Sequence, residues 1–345
     1  MIWLSWRQFR VQAWLALAAL AVAAITLAVT GPGLAGMFDS SRIAGCAARG
    51  DCDSLVNAFL YQVGHDGPDN VLDHLGSWVL FAVPALIGMF WGAPLVTREL
   101  ETGSFRMVWN QSITRTRWLA VKLAVVGVAG MAAAGLLSLA FNWWLSPFER
   151  VTMDRLQPGN FGATGIVPIG YAAFAFAVGV AAGLVIRRTL PAMAVTLVIT
   201  AAAQAFMALW LRARLIAPVR VSFPLSNATL GQFAVMPRTG RFTVYTQGTA
   251  QISQLPGAWV ISAPQSITTP DHVASQACLS ELAHSQAQNP VACIASLVRL
   301  HLTQTVTYDP LSRYWTLQWY ETGIFLAAAL AFAGFSLWRV RQATA

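Results

Sequence analysis

The sequence predicts an all-α polytopic membrane protein. It has six transmembrane helices, both termini cytoplasmic, and a small α+β extracytoplasmic domain between helices 5 and 6. Three observations lead there. The chain is 56% hydrophobic and only 10% charged, whereas soluble domains are about 25% charged. Six runs approach the ~20 apolar residues that crossing a hydrocarbon core takes. Arginines crowd into alternate connections between those runs. The expected division is 1–211 for an N-terminal elbow helix and spans 1–5, 212–322 for the outer domain, and 323–345 for span 6 and a cytoplasmic tail.

The start, MIWLSWRQFR, interleaves Trp3, Trp6 and Phe9 with Arg7 and Arg10. A helix of this kind lies in the interface, aromatics toward lipid and arginines toward headgroups. It reads as an elbow at the membrane surface or as no more than a positively charged start. The first span, 14–30, is longer than the roughly 7–15 apolar residues of a signal peptide, so it is read as a span. Spans 2 to 6 follow at 78–96, 118–145, 168–186, 191–211 and 323–338. The third is long enough to tilt or to project beyond the bilayer. The short link carrying Arg187 and Arg188 makes spans 4 and 5 a tight helical hairpin. In span 4, Gly179 and Gly183 form a small-xxx-small face for close helix packing. That face can serve either the fold itself or a dimer seam.

None of the six runs has an acidic residue in its middle, and no buried charge marks an ion route. Asn142, Thr196, Thr200 and Gln204 read as polar groups satisfied in helix packing, or else as the lining of a path. Orientation follows from the arginines. Arg7, Arg10, Arg98, Arg106, Arg115, Arg117, Arg187, Arg188, Arg339 and Arg341 fall in short, charge-dense connections, which places those connections in the cytoplasm.

All four cysteines then lie outside, two in each of two connections. Their pairing is expected as Cys46–Cys52 and Cys278–Cys293, because even counts on an oxidising side read as disulfides. Buried free thiols are the alternative. The connection 212–322 is far longer than an ordinary loop and should fold by itself. Residues 241–262 mix apolar and aromatic residues with Gly and Pro breaks, which suggests strands, and 270–305 reads as helical. His65, His74, His272, His284 and His301 also lie outside; the spacing of His272, Cys278 and His284 matches no closed tetrahedral metal pattern, so no metal site is expected. Asp66, Asp69, Asp73 and Asp309 read as solvated loop charge. There is no HExxH and no G-x-S-x-G, so no enzyme activity is expected.

The segment 97–122, TRELETGSFRMVWNQSITRTRWLAVK, is the most informative. Acidic residues open it and basic residues close it, which matches a helix dipole. Membrane topology explains its arginines but not Glu99 and Glu101. These can pair with basic groups on a partner or cap local backbone amides. Lys122 is the only lysine in the chain and sits in Val-Lys-Leu. A Walker A loop needs Gly-Lys-Ser/Thr, so this chain has no P-loop of its own.

The order Arg98-Glu99-Leu100-Glu101-Thr102-Gly103-Ser104, then Asn110 to Arg115, then Trp118 to Lys122, resembles the cytoplasmic loop of type-2 ABC exporter permeases. The stretch YDPLSRYWTLQWYETGIF, from Tyr308 to Phe325, looks particularly like actinobacterial members. The resemblance implies a multi-pass permease in a bacterial plasma membrane and a separate ABC ATPase subunit that binds ATP and Mg. It also implies a second permease copy or a paralogue, with membrane lipid around it and no nucleic acid partner. In that reading Arg98, Glu99, Glu101, Gly103 and Ser104 form the element that couples to the ATPase. The cargo expected is hydrophobic or amphipathic, as in multidrug efflux or lipid export. A membrane sensor or assembly protein displaying an outer domain is the competing reading.

Overall fold

The computed structural model describes residues 2–41, 43, 54–56, 58–59, 61, 68–102, 114–152, 154–224, 230–236, 241–246, 255, 257–263, 266–269 and 303–342. It divides into a helical unit, Met1–Leu215 with Trp315–Ala345, and a second unit, Ile216–Tyr314.

The helical unit begins with α1, Ile2–Ser40. Its 39 residues reach about 58 Å at ~1.5 Å per residue. The amphipathic start is therefore not a separate elbow but the first turns of one unbroken helix. Nothing between Ile2 and Thr30 interrupts helical geometry, since glycine and proline first appear at Gly31 and Pro32. Span 2 is composite: α2 (Pro68–Ile87), a π-helical stretch Gly88–Gly92, and α3 (Pro94–Thr102). α4 (Arg115–Thr152) is 38 residues long. Trp144 Nε1 donates to Thr30 Oγ1 at 2.8 Å and ties α4 to α1. A short α5 (Pro158–Phe161) leads into α6 (Val167–Ile186). Span 5 is α7 (Thr189–Phe206), a second π-helical stretch Met207–Leu211, and α8 (Arg212–Leu215). Span 6 is α9 (Tyr314–Gln342). Among the described residues, six helices are long and apolar enough to cross a membrane.

α6 is the centre of this unit. It is apolar on every side, which marks a helix enclosed by others, and most of its residues are buried. Its glycines decide how it packs. A Cβ on Gly179 would collide with the carbonyl oxygen of Gly88 and would sit 2.8 Å from the Ala93 nitrogen. One on Gly183 would meet the Ala93 oxygen at 2.8 Å. The small-residue face thus lies against the π-helical stretch of span 2, backbone on backbone. The π turn re-registers span 2 so that Gly88 and Gly92 present their own bare backbone to α6. Gly179→Val should lower stability by about 1–3 kcal/mol, because the obstructing atoms are backbone and cannot rotate away. Thermal unfolding of the detergent-purified variant measures this.

Among the described residues, the second unit holds six strands: β1 (Val219–Pro224), β2 (Leu230–Met236), β3 (Arg241–Thr246), β4 (Trp259–Ser262), β5 (Ser266–Thr269) and β6 (Thr303–Asp309). They form two three-stranded antiparallel sheets, ordered β1-β6-β4 and β2-β3-β5. β3 and β4 fall in the stretch read as strands. The helical reading of 270–305 lies outside the described residues up to 302, and from Thr303 the chain is β6. Cys46, Cys52, Cys278 and Cys293 also lie outside the described residues, as do His65, His272, His284, His301 and Asp66.

Two expectations about charge are corrected. Asp309 is not a solvated loop charge. It is fully buried, and Arg313 donates to its Oδ1 at 2.8 Å and to the Ala217 carbonyl at 2.8 Å. The spans are not free of buried charge either. Glu321 lies inside α9 and Arg212 opens α8, and neither has any exposed surface.

Candidate functional site

One end of the helical unit gathers the close of α3, the start of α4 and the α6–α7 turn. Thr97 is buried on α3, its Oγ1 bonded to the Ala93 carbonyl at 3.0 Å and to Thr189 Oγ1 at 2.9 Å. Two residues on, Glu99 accepts a hydrogen bond from Lys122 Nζ, from the second turn of α4. Lys122 also sits 4.5 Å from the ring centroid of Trp118, one helical turn before it. The i, i+4 spacing puts both residues on one face of α4, so the ammonium lies between a carboxylate and an aromatic face. Lys122 is almost wholly enclosed, and Glu99 Oε2 is buried with no hydrogen-bond partner.

Glu101 turns to a different helix. It accepts from the Thr189 backbone nitrogen at 2.7 Å and from Thr189 Oγ1 at 2.8 Å. Arg188 precedes α7 without a side-chain cap. The first amides of a helix lack intrahelical acceptors and favour an anion. Glu101 supplies that anion from a helix far away in sequence.

Both glutamates of the cationic segment are therefore bonded within the bundle, Glu99 largely enclosed and Glu101 at the surface. Glu99 binds α4 and Glu101 binds α7, so α3 is joined to spans 3 and 5 at once. Local amide capping is one role read for these carboxylates; the amide that Glu101 caps is instead a distant one, at the start of α7. Arg98 is exposed at the same end and lines the polar edge of a cavity of about 680 Å³. Thr189 also lines it, and the other walls are apolar, with Leu20 and Ala23 of α1, Val83 and Leu86 of α2, Leu137 of α4 and Met193 of α7. Gly103 and Ser104 lie outside the described residues.

The opposite end holds a polar cluster that the sequence reading missed. Arg212 Nε donates to Glu321 Oε2 at 2.9 Å and its second amino group donates to Oε1 at 3.0 Å. The Tyr171 hydroxyl donates to Oε1 as well. The guanidinium lies 4.2 Å from the ring centroid of Phe161. Gln318, one turn before Glu321 and also buried, has its Oε1 facing the amides of Ile166 at 2.9 Å and Val167 at 3.1 Å. Its Nε2 donates to the carbonyls of Phe161 at 3.3 Å and Thr164 at 3.2 Å. Spans 4, 5 and 6 are thus locked together with the 158–166 turn. A signal existed: opposite charges stand directly after span 5 and directly before span 6. The excursion between those spans must return the chain to where it left, which brings the two charges together.

The polar residues weighed as path lining divide. Thr196 Oγ1 bonds the Ala192 carbonyl at 2.7 Å and Gln204 Nε2 bonds the Phe81 carbonyl at 3.3 Å, as packing groups do. Thr200 Oγ1 is buried with no hydrogen-bond partner, and Asn142 is half-buried. Among the described residues, no three His, Cys, Asp or Glu side chains converge as a metal site would require.

No curated protein and no solved structure matches this chain. A family does match, over residues 17–212, more than half of the length, which takes in Glu99, Glu101, Lys122 and Arg212 but not Glu321. With six apolar helices among the described residues, on the same stretch and beyond it, the chain is a multi-pass membrane protein and belongs to the ABC-2 membrane transporter related family.

Proposed function

We propose that this chain is the permease subunit of an ABC-type exporter. It moves a hydrophobic or amphipathic molecule, drug-like or lipid-like, outward with ATP hydrolysed on a separate subunit. Both termini and the 97–122 segment are cytoplasmic in this reading, and the unit 216–314 is outside. A second permease, identical or paralogous, completes the membrane path, and ATP and Mg reside on the ATPase. The observation that carries the reading is the double tie of α3, Glu99 to Lys122 and Glu101 to Thr189. A segment pushed from the cytosol and bonded to two spans transmits that push to both, which a simple loop does not. The cavity with apolar walls and Arg98 at its edge supports an amphipathic cargo.

The test is co-purification with a co-expressed ABC ATPase subunit, followed by ATP-driven uptake of a hydrophobic dye into inside-out vesicles. Retention of the ATPase and ATP-dependent uptake support the proposal. A chain that retains no ATPase, yet inserts normally, is a sensor or assembly protein instead.

The outer placement carries its own prediction. Cys46–Cys52 and Cys278–Cys293 are expected as disulfides. Alkylation of the unfolded protein should then modify no cysteine before reduction and all four after it, as read by intact mass.

A further inference from the structure

α6 ends at Ile186 and α7 begins at Thr189, so Arg187 and Arg188 are the whole turn. Arg187 has φ 57° and ψ 14°, the left-handed conformation, and among the described residues it is the only non-glycine with positive φ. Its amide closes α6 onto the Gly183 carbonyl at 3.0 Å. This is the position where a helix usually places glycine, which has no Cβ to strain there. An arginine in its place must be explained by its side chain.

Two general explanations fall short. A cation at a helix C-terminus suits the dipole, but Arg188 already supplies one. Arginines orient a span from anywhere within about 15–20 residues of its end, so orientation does not call for the one position whose backbone resists a side chain. Both arginines are exposed. The turn is also held firmly, because Thr189 is bonded to Glu101 and to Thr97 of α3. It therefore moves with the segment that begins at residue 97.

We infer that the Arg187–Arg188 turn is a second docking point for the ATPase subunit, placed to grip an acidic patch on its surface. The inference rests on the permease reading above. Guanidinium groups pair with carboxylates in a directional, two-pronged geometry, which suits a contact that must hold while its partner moves. Strain kept at an exposed cationic turn is what a binding role leaves in a backbone.

The test uses Arg187→Gly and Arg188→Gln in the full chain, co-expressed with the ABC ATPase subunit. Arg98, Arg115 and Arg117 remain to hold the orientation. Three quantities are read: the melting temperature of the chain, the amount of ATPase retained, and binding to phosphatidylglycerol vesicles. Arg187→Gly should melt no lower than the parent, because glycine relieves the turn, yet should retain several-fold less ATPase. Arg188→Gln should also retain less. Raising salt should weaken the parent complex more than either variant's, since exposed charge pairs are screened. If both variants retain as much ATPase as the parent, the inference is overturned and the arginines serve orientation alone. If they keep the ATPase but lose vesicle binding, it is likewise overturned, and the turn reads lipid headgroups. Failure of the parent chain itself to retain ATPase would count against the permease reading, a distinct result.

Discussion

Arg212→Met is expected to destabilise the helical unit by about 3–5 kcal/mol, the loss typical when one partner of a buried ion pair is removed. The guanidinium makes two hydrogen bonds to Glu321, and both side chains have 0% exposure. Without it the carboxylate keeps only the Tyr171 hydroxyl in an enclosed site. The Coulomb attraction is lost while the desolvation of Glu321 remains. The double variant Arg212→Met, Glu321→Leu should recover most of the loss, because a well-packed apolar pair removes the stranded charge as well. Thermal unfolding of parent, single and double variants gives the coupling directly. Equal melting temperatures for the single and double variants would mean that the pair does not interact as described.

Lys122→Met should be nearly as damaging, by about 3 kcal/mol, for the same reason. Glu99 would be left mostly enclosed, and one of its oxygens already has no partner. The companion variant Lys122→Met, Glu99→Gln separates stability from transmission. It removes the unpaired charge, so its melting temperature should return most of the way to the parent's. Coupled ATP turnover should nonetheless stay low, because α3 would then be tied only to α7, through Glu101 and Thr97. Recovery of both stability and coupled turnover would show that the pair serves folding alone.

Much of the architecture was legible in the sequence. The six spans are local properties of composition, and the core of each run is found where apolar residues accumulate. Their ends were less legible. Hydropathy stopped span 6 at Gly323 because Glu321 looks like a residue for water. In the structure α9 begins at Tyr314 and carries Glu321 buried. A charge at the margin of an apolar run reads as a boundary until its partner is known, and Arg212 belongs to a different span. Asp309 misled in the same way, with Arg313 as its partner.

The 97–122 segment shows the same division. Its order of charges pointed to Glu99 and Glu101, but the direction in which each carboxylate faces was not in the order. Glu101 reaches an amide exposed only because another helix starts there. Gly179 and Gly183 were readable as a packing face, but the π turn that meets them was not, since no residue type in Gly88–Gly92 demands it.

What the sequence determined by itself is the class of molecule, the spans and the family. Each depends on composition and order within a short stretch: about 20 apolar residues suffice to require a membrane. The tertiary structure alone decided which groups answer each other. Lys122 and Glu99 are 23 positions apart, Thr189 and Glu101 are 88, and Arg212 and Glu321 are 109. A charge buried away from water must find its counter-charge in space, and only the packing of helices sets which residues of distant spans share that space.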